Sequence, residues 1–311
     1  MTTVRLGVGF GPGTRGFPTG EEMIRFGEAA EAIGFEHFWA NDHLSWAHPL
    51  IDPIALLSAV AARTTTMGLA TGVYLLPFRP PAATARSFAG LDYISDGRVI
   101  LGVGLGGEFA QDFSAAGISP RRRGARADTT IGLLRELWRG EPVTFHDDDF
   151  DLDEVQVLPR PFQDHIPIVA GGRSEAALRR AALLADGWMP YLMSPDRIRA
   201  GVDQLKEISG HGGHRVIAHV FAYFGDNLAA ARENAISYLS AQYHTDMERA
   251  VDRCVPYGPP EVVVEQLRKY ADAGATDIVL RPLAESDQHR KVLEEQAAIV
   301  RSLWTPVNED G

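Results

Sequence analysis

Eight short apolar segments alternate with helix-forming segments along this chain, and this alternation restricts the fold more than any other feature. It is typical of a parallel sheet whose strands are connected by helices. The predicted strands lie at 4–10, 37–41, 67–73, 99–105, 166–170, 187–191, 216–224 and 277–280. Eight such strands predict an α/β protein with a closed (β/α)₈ TIM barrel.

The longest connection, 105–165, joins the fourth and fifth predicted strands. It contains an arginine cluster at 121–126, a predicted helix at 128–139 and an acidic stretch at 146–149. A simple connection between a strand and the next helix is much shorter. We therefore expect an insertion between strands 4 and 5 that covers the mouth of the barrel.

The remaining sequence gives no reason to divide the chain. Residues 1–311 show no internal repeat and no low-complexity linker, so a single domain is expected. An open, doubly wound sheet is the alternative, but a dinucleotide-binding unit carries G-x-G-x-x-G directly after its first strand. Here the glycines at 7, 9, 11 and 13 alternate with other residues instead.

Composition restricts the class of partner. The chain has 30 basic and 41 acidic residues, and its net charge of -11 repels nucleic acid and anionic lipid. A small-molecule substrate is expected, with no nucleic-acid or membrane partner.

The one cysteine, Cys254, cannot form an internal disulfide. No signal-peptide pattern and no long apolar run are visible, so a soluble cytoplasmic protein is expected.

Glycines cluster where two neighbouring predicted strands end. Gly72 belongs to the end of the third strand, and Gly104, Gly106 and Gly107 belong to the end of the fourth. The carboxyl ends of the strands form the active-site face of a (β/α)₈ barrel. Because glycine leaves the backbone uncovered, these positions favour close approach of a flat ligand.

His43 directly follows the second predicted strand. Side chains alternate along a strand, so Asn41 and His43 should share a direction and Asp42 should point away. A histidine at this place can transfer a proton near neutral pH, or it can be a structural residue bonded to a loop carbonyl. The strand ends lack the several histidines and carboxylates of a metal hydrolase, so no metal is expected.

A second candidate site follows the fifth predicted strand, where Gly171, Gly172, Arg173 and Ser174 lead into a helix. Free backbone N–H groups, a helix N-terminus and a guanidinium favour an anion there. The alternative is a glycine turn with a serine cap. The arginines at 121–123 and 126 are either a steering surface for an acidic ligand or a solvated face.

Several motifs together resemble those of the bacterial luciferase-like oxidoreductases, in the order in which that family has them. They are Asn41-Asp42-His43-Leu44, Thr71-Gly72-Val73, Leu76-Pro77, Arg79-Pro80-Pro81, Asp92-Tyr93-Ile94-Ser95-Asp96-Gly97-Arg98, Leu101-Gly102-Val103-Gly104, Gly171-Gly172 and Ala185-Asp186-Gly187-Trp188. Each motif is loose by itself, and their combination over most of the chain is specific.

The resemblance implies a barrel that holds FMN or the deazaflavin coenzyme F420 across its strand ends. Gly72 and Val73 match the place of a non-proline cis peptide that supports the back of the ring, and Gly171 and Gly172 match the phosphate-binding turn. His43 matches the histidine that faces the reactive ring carbon in deazaflavin-dependent members.

Two further residues match less closely. Trp46 resembles a pocket tryptophan but falls one residue short of the family spacing, and Glu108 resembles a pocket glutamate but has one extra residue before it. For both, packing at the surface or in a lid is the alternative. The expected catalytic residues are therefore His43, Glu108 and Asn41, and the expected substrate contacts are Trp46 and Trp188.

The expected activity is hydride transfer between F420 and a small organic substrate, with His43 as acid or base. The expected cofactor contacts are Asp42, Gly72, Val73, Gly104, Gly106, Gly171, Gly172, Arg173 and Ser174. The alternatives are an FMN-dependent monooxygenase, which uses oxygen and needs a partner flavin reductase, and a non-catalytic flavin-binding barrel. The family resemblance also makes a homodimer possible.

Overall fold

Eight parallel strands form a closed barrel in the computed structural model, which describes residues 4–11, 16–107, 109–285 and 287–304. Each strand pairs with the next, and β7 pairs with both β6 and β8, which closes the sheet. The strands are β1 (Arg5–Phe10), β2 (His37–Ala40), β3 (Gly68–Thr71), β4 (Val99–Gly104), β5 (Ile168–Gly171), β6 (Gly187–Met189), β7 (Arg215–Phe224) and β8 (Asp277–Pro282). The predicted (β/α)₈ barrel is confirmed.

Helices surround the barrel and cover its apolar outer face. They are α1 (Gly20–Ile33), α2 (Pro53–Ala61), α3 (Pro81–Ile94), α4 (Ala110–Ala116), α5 (Arg123–Leu137), α6 (Glu175–Leu184), α7 (Pro195–Ser209), α8 (Leu228–Tyr243), α9 (Glu248–Cys254), α10 (Pro260–Asp272), α11 (His289–Val292) and α12 (Ala298–Trp304). Thr19 forms a capping box with Glu22, and Ser174 caps α6 through the N–H of Ala177. The helix expected at 128–139 begins five residues earlier, at Arg123.

A cluster of apolar side chains fills the middle of the barrel interior, which is why the strands are largely apolar runs. This layer consists of Trp39, Ala70, Ile100, Val169, Met189, Ile217 and Val279, all of them buried. Gly102 lies beside it, where a Cβ would stand 2.0 Å from the backbone oxygen of Thr71. Only glycine fits at that close approach.

The expected insertion is present between β4 and β5. It contains α4, a short 3₁₀ turn (Pro120–Arg122) and an antiparallel hairpin (Val143–His146 with Asp151–Val155) in addition to α5. Arg122 forms ion pairs with Asp148 at 2.5 Å and Asp149 at 3.1 Å. The arginine cluster and the acidic stretch therefore bind each other and join the hairpin to the turn that precedes α5.

The end of the barrel opposite the strand carboxyl termini is closed by an ion cluster around Asp277. This fully buried carboxylate binds Arg5 and Arg215, each at 2.6 Å, and accepts a hydrogen bond from Thr276. Burial acts to raise the pKa of Asp277, but hydrogen bonds from Arg5 and Arg215 outweigh it and hold the pKa well below its usual range. His37 lies 3.8 Å from the same carboxylate.

We expect the free energy of unfolding to fall as the pH is lowered from about 7 to about 5. Burial lowers the pKa of His37 and of His289 to about 4 each. An unfolded chain protonates its histidines near pH 6.5, so it binds more protons than the folded protein between those two values. Below about pH 4 the free energy of unfolding continues to fall. Asp277 stays ionised in the folded protein, whereas the same carboxylate takes up a proton more readily in the unfolded chain.

Urea unfolding at a series of pH values measures this slope. The variant His289→Gln removes one of these buried imidazoles and should show a shallower dependence over the same range. An equal slope in the variant and in the parent protein would contradict the assignment for His289.

Candidate functional site

A cavity of about 530 Å³ opens at the carboxyl ends of the barrel strands. It is lined by twelve of the predicted residues, namely Asn41, Asp42, His43, Trp46, Gly72, Val73, Gly104, Gly106, Gly171, Gly172, Arg173 and Ser174. They come from the ends of β2, β3, β4 and β5, which meet at the same end of the barrel. Glu108, the remaining predicted catalytic residue, lies outside the described residues.

The floor of the cavity is formed by Val73, which follows a cis peptide bond between Gly72 and Val73. This is the non-proline cis bond that the family resemblance implies. A Cβ on Gly104 would stand 2.3 Å from Cγ2 of Val73, and one on Gly171 would stand 2.8 Å from Cγ1. These two glycines therefore make room for Val73, and it is the valine side chain that a flat ligand would meet.

His43 is held by a carboxylate that the sequence does not reveal. Its Nδ1 lies 2.8 Å from Oδ2 of Asp112, which is fully buried at the start of α4. The other oxygen of Asp112 accepts hydrogen bonds from the backbone N–H groups of Leu44 and Ser45, both at 2.8 Å. Asp112 thus fixes the ring and places the proton on Nδ1, which leaves Nε2 as the nitrogen available to a ligand.

Aromatic side chains surround this histidine. The ring of Trp46 lies 4.9 Å from that of His43, and the ring of Phe109 lies 5.3 Å from it. The Nε1 of Trp46 is buried and has no hydrogen-bond partner among the residues that the structure describes. An apolar enclosure of this kind strengthens the interaction between His43 and Asp112.

Asn41 and Asp42 have different hydrogen-bond partners. Oδ1 of Asn41 accepts a hydrogen bond from Arg281 at 3.2 Å. Asp42 accepts two hydrogen bonds from Arg79, at 2.5 and 2.8 Å, and one from the backbone N–H of Leu75 at 2.8 Å. Both carboxylate oxygens of Asp42 are therefore engaged by the protein, although the residue lines the cavity.

His219 and Arg281 are two further buried residues at this end of the barrel. His219 lines the cavity, and burial, followed by the charge of Arg281, lowers its pKa to about 3, so it is neutral at physiological pH. Its Nε2 lacks a hydrogen-bond partner within the described part of the chain. The guanidinium of Arg281 occupies the space beside Gly11, where a Cβ would stand 1.9 Å from Nη2.

The turn from Gly171 to Ser174 lies at the N-terminus of α6. Ser174 caps the helix, and Gly172 has a φ of 136° that disfavours other residues. Arg173 extends beside this turn, with its guanidinium 4.8 Å from the centre of the Tyr191 ring. Helix N–H groups and a cation thus meet at one edge of the cavity, which is the chemistry of an anion site.

Trp188 is not part of the cavity, which corrects its expected role as a substrate contact. Its side chain is fully buried, and its Nε1 donates to the backbone oxygen of Gly172 at 2.9 Å. Its ring packs against Gly201 of α7, where a Cβ would stand 2.4 Å away. The strand pleat turns Trp188 outward between β6 and the helices, so that it supports the turn at 171–174 from behind.

The cavity lining combines an apolar, aromatic part with a cationic turn. It offers Val73, aromatic rings, the turn beside Arg173 and the ring nitrogens of Trp46 and His219, which have no hydrogen-bond partner within the described residues. No group of three or more His, Cys, Asp or Glu side chains that could hold a metal occurs among residues 4–11, 16–107, 109–285 and 287–304. Over the same ranges, no helix is long and apolar enough to cross a bilayer.

Comparison with known proteins gives a consistent family. Residues 2–277 match the family model described as luciferase-like monooxygenase. An F420-dependent glucose-6-phosphate dehydrogenase of Nakamurella multipartita is 34% identical over 299 residues, which are 86% of this chain and 88% of that protein. An uncharacterised protein of Mycobacterium tuberculosis is 38% identical over 210 residues, which are 60% of this chain and 72% of that protein.

Solved structures share the fold. An F420-dependent secondary alcohol dehydrogenase in complex with an F420–acetone adduct has a TM-score of 0.82 at 17% identity, covering 96% of this chain and 99% of that one. The oxygenating constituent of 3,6-diketocamphane monooxygenase from Pseudomonas putida, in complex with FMN, has a TM-score of 0.74 at 17% identity, covering 96% of each chain. With the family model matching most of its length, the chain belongs to the luciferase-like monooxygenase family.

Proposed function

We propose that this protein is an oxidoreductase that transfers hydride between coenzyme F420 and a small organic substrate. The observation that carries the proposal is the pair of His43 and Asp112, placed beside a cavity whose floor is Val73 and whose far edge is an anion-binding turn. Relatives along most of the chain, at 28% and 34% identity, are named as F420-dependent dehydrogenases and support the same cofactor.

The residues would hold the coenzyme at three places. Val73 would support the back of the ring, and His219 and Trp46 offer ring nitrogens at its edge. The backbone N–H groups of Arg173 and Ser174, with the guanidinium of Arg173, would bind the phosphate. The bound deazaflavin supplies a ring carbon that accepts or donates a hydride.

His43 would move the proton that accompanies the hydride. When an alcohol is oxidised, Nε2 accepts the hydroxyl proton, and when a carbonyl is reduced, Nε2 returns it. The buried carboxylate of Asp112 stabilises the imidazolium that forms and keeps the ring in one tautomer. Trp46 and Phe109 exclude water from this side of the ring.

Titration of the purified protein with F420 and with FMN tests the cofactor. We expect F420 fluorescence to be quenched with submicromolar affinity and FMN to bind more weakly, because FMN lacks the longer acidic tail. Substrate-dependent bleaching of F420 should proceed without oxygen.

The alternative is an FMN-dependent monooxygenase, since the fold is shared with an FMN-containing oxygenase. Tight binding of FMN without binding of F420, together with oxygen consumption that needs a flavin reductase, would favour that alternative. Tight binding of either ring without any substrate-dependent bleaching or oxygen uptake would indicate a non-catalytic flavin-binding barrel.

A further inference from the structure

Two glycines at the end of the first barrel strand make room for one long side chain. A Cβ on Gly9 would stand 3.2 Å from Cδ of Arg281, and one on Gly11 would stand between 1.9 and 2.0 Å from Cζ and both terminal nitrogens. Alternate residues of a strand face the same side, so the two glycines form one channel. Arg281 enters this channel from β8, which pairs with β1 in the barrel. The alternating glycines of the first strand therefore serve the path of a buried arginine.

The guanidinium of Arg281 is buried without a counter-ion. The residue is 2% exposed, and within the described part of the chain it forms no ion pair. Asp42 and Asp112, the buried carboxylates beside the cavity, are held instead by Arg79 and by His43. A buried charge that lacks a partner is costly, so an anion placed nearby is stabilised.

Arg281 adjoins the cavity through residues that line it. Its Nη1 donates to Oδ1 of Asn41 at 3.2 Å, and its guanidinium carbon lies 5.8 Å from the ring centre of Phe221. His219 stays neutral, because burial and then the charge of Arg281 lower its pKa to about 3. The charge of Arg281 therefore acts on the cavity through a single layer of side chains.

Asn41 extends this effect to the cavity itself. A guanidinium can only donate hydrogen bonds, so Asn41 must turn its carbonyl oxygen to Arg281. Its NH₂ group is left for a ligand, since it donates no hydrogen bond within the residues that the structure describes. A buried cation, an amide donor and the neutral ring of His219 thus meet at one wall. Together they suit a ligand that becomes negative during the reaction.

We propose that Arg281 stabilises the negative charge that the coenzyme gains when it takes up a hydride, so that the site favours oxidation of its substrate. This inference rests on the proposed function. In that direction the C–H bond at the alcohol carbon breaks, and its electron pair forms a C–H bond at the ring, which gains one hydrogen and one negative charge. The alcohol becomes a carbonyl compound, and its hydroxyl proton passes to Nε2 of His43. Arg281 does not line the cavity, so it acts as a positioning residue, through Asn41 and through its field.

Anaerobic calorimetric titration with oxidised and with reduced F420 tests the inference without turnover. The parent protein should bind the reduced form about tenfold more tightly, because a single cation acts on it across the cavity wall. For a two-electron couple, a tenfold preference raises the midpoint potential of the bound coenzyme by about 30 mV. Equal affinities in the parent protein would overturn the inference while the proposed function stands. Failure of both forms to bind would overturn both.

Three replacements of Arg281 separate its charge from its hydrogen bond. Arg281→Gln keeps a donor for Asn41 but loses the charge, so the preference for the reduced form should disappear while the oxidised form still binds. Arg281→Met, whose side chain fits the same channel, should give the same ratio of affinities. Arg281→Lys keeps the charge and should keep most of the preference. A purely structural role would weaken the binding of both forms alike and leave their ratio unchanged, which would overturn the inference.

Arg179→Gln is the matched control. Arg179 is an exposed arginine of α6 that does not line the cavity. Its replacement removes the same charge from the chain as Arg281→Gln and should leave the ratio of affinities as it is in the parent protein. Loss of the preference in this control would assign it to net charge and not to the place of Arg281, and the inference would be wrong.

Discussion

Replacing His43 by alanine should lower turnover by about two to four orders of magnitude and change coenzyme affinity little. The imidazole lines the cavity and is held through Nδ1 by Asp112, so its loss would remove the proposed proton carrier and leave Val73 and the turn at 171–174 in place. Stopped-flow measurement of deazaflavin bleaching, with a separate titration of coenzyme binding, distinguishes the two effects.

Asp112→Asn tests the positioning residue in the same measurement. The amide retains a group at the same place but loses the charge that stabilises an imidazolium, so turnover should fall and its pH dependence should change. Adding His43→Ala to this variant should cause little further loss, because the two residues act as one unit.

His48→Ala is the matched control for both variants. His48 lies five residues further along and contacts Trp46, with ring centres 5.8 Å apart, but it does not line the cavity. Its replacement should leave turnover near that of the parent protein. Unchanged turnover in His43→Ala would remove this residue from the mechanism.

Replacing Arg79 by alanine should destabilise the protein by about 3–5 kcal/mol. The side chain of Asp42, which pairs with Arg79, is 1% exposed. Its carboxylate accepts three hydrogen bonds, and Arg79 donates two of them. Removal of the guanidinium leaves a buried charge without a counter-ion, and it also removes a cation that lies 4.2 Å from the centre of the Tyr74 ring. The midpoint of urea unfolding measures the change.

Two further variants separate charge from geometry at this pair. Arg79→Lys keeps the charge but cannot form both hydrogen bonds, so its stability should be intermediate. The neutral double variant Asp42→Asn/Arg79→Leu should be more stable than Arg79→Ala, because no buried charge is left unpaired. A double variant that is less stable than Arg79→Ala would show that the pair contributes more than charge compensation.

The strands, the main cavity and most of its lining could be predicted because their signals are local. A buried parallel strand is a short apolar run, and its end is marked within a few residues, as at Gly72 and Gly171. Helix caps such as Thr19 and Ser174 are equally local. The cis bond at Val73 was implied by the family motif around it and not by any physical property of the segment.

Other features depend on contacts between distant segments. Asp112 lies 69 residues from His43, inside an insertion whose path no periodicity predicts. Trp188 is at a strand end in the sequence, but the pleat of β6 turns it away from the cavity. The path of the insertion decides the first contact, and the direction of a side chain relative to the barrel decides the second.

The sequence by itself determined the alternation of strands and helices, the end of the barrel that carries the site and the family motifs. The periodicity of apolar residues and the local preferences of the backbone are set within a few residues. These features can therefore be derived from short segments. Only the tertiary structure decided which charges are paired. Arg122 forms an ion pair with Asp148, whereas Arg197 and Arg253 form no ion pair within the described part of the chain, because electrostatic pairing depends on distances that are set when the whole barrel closes.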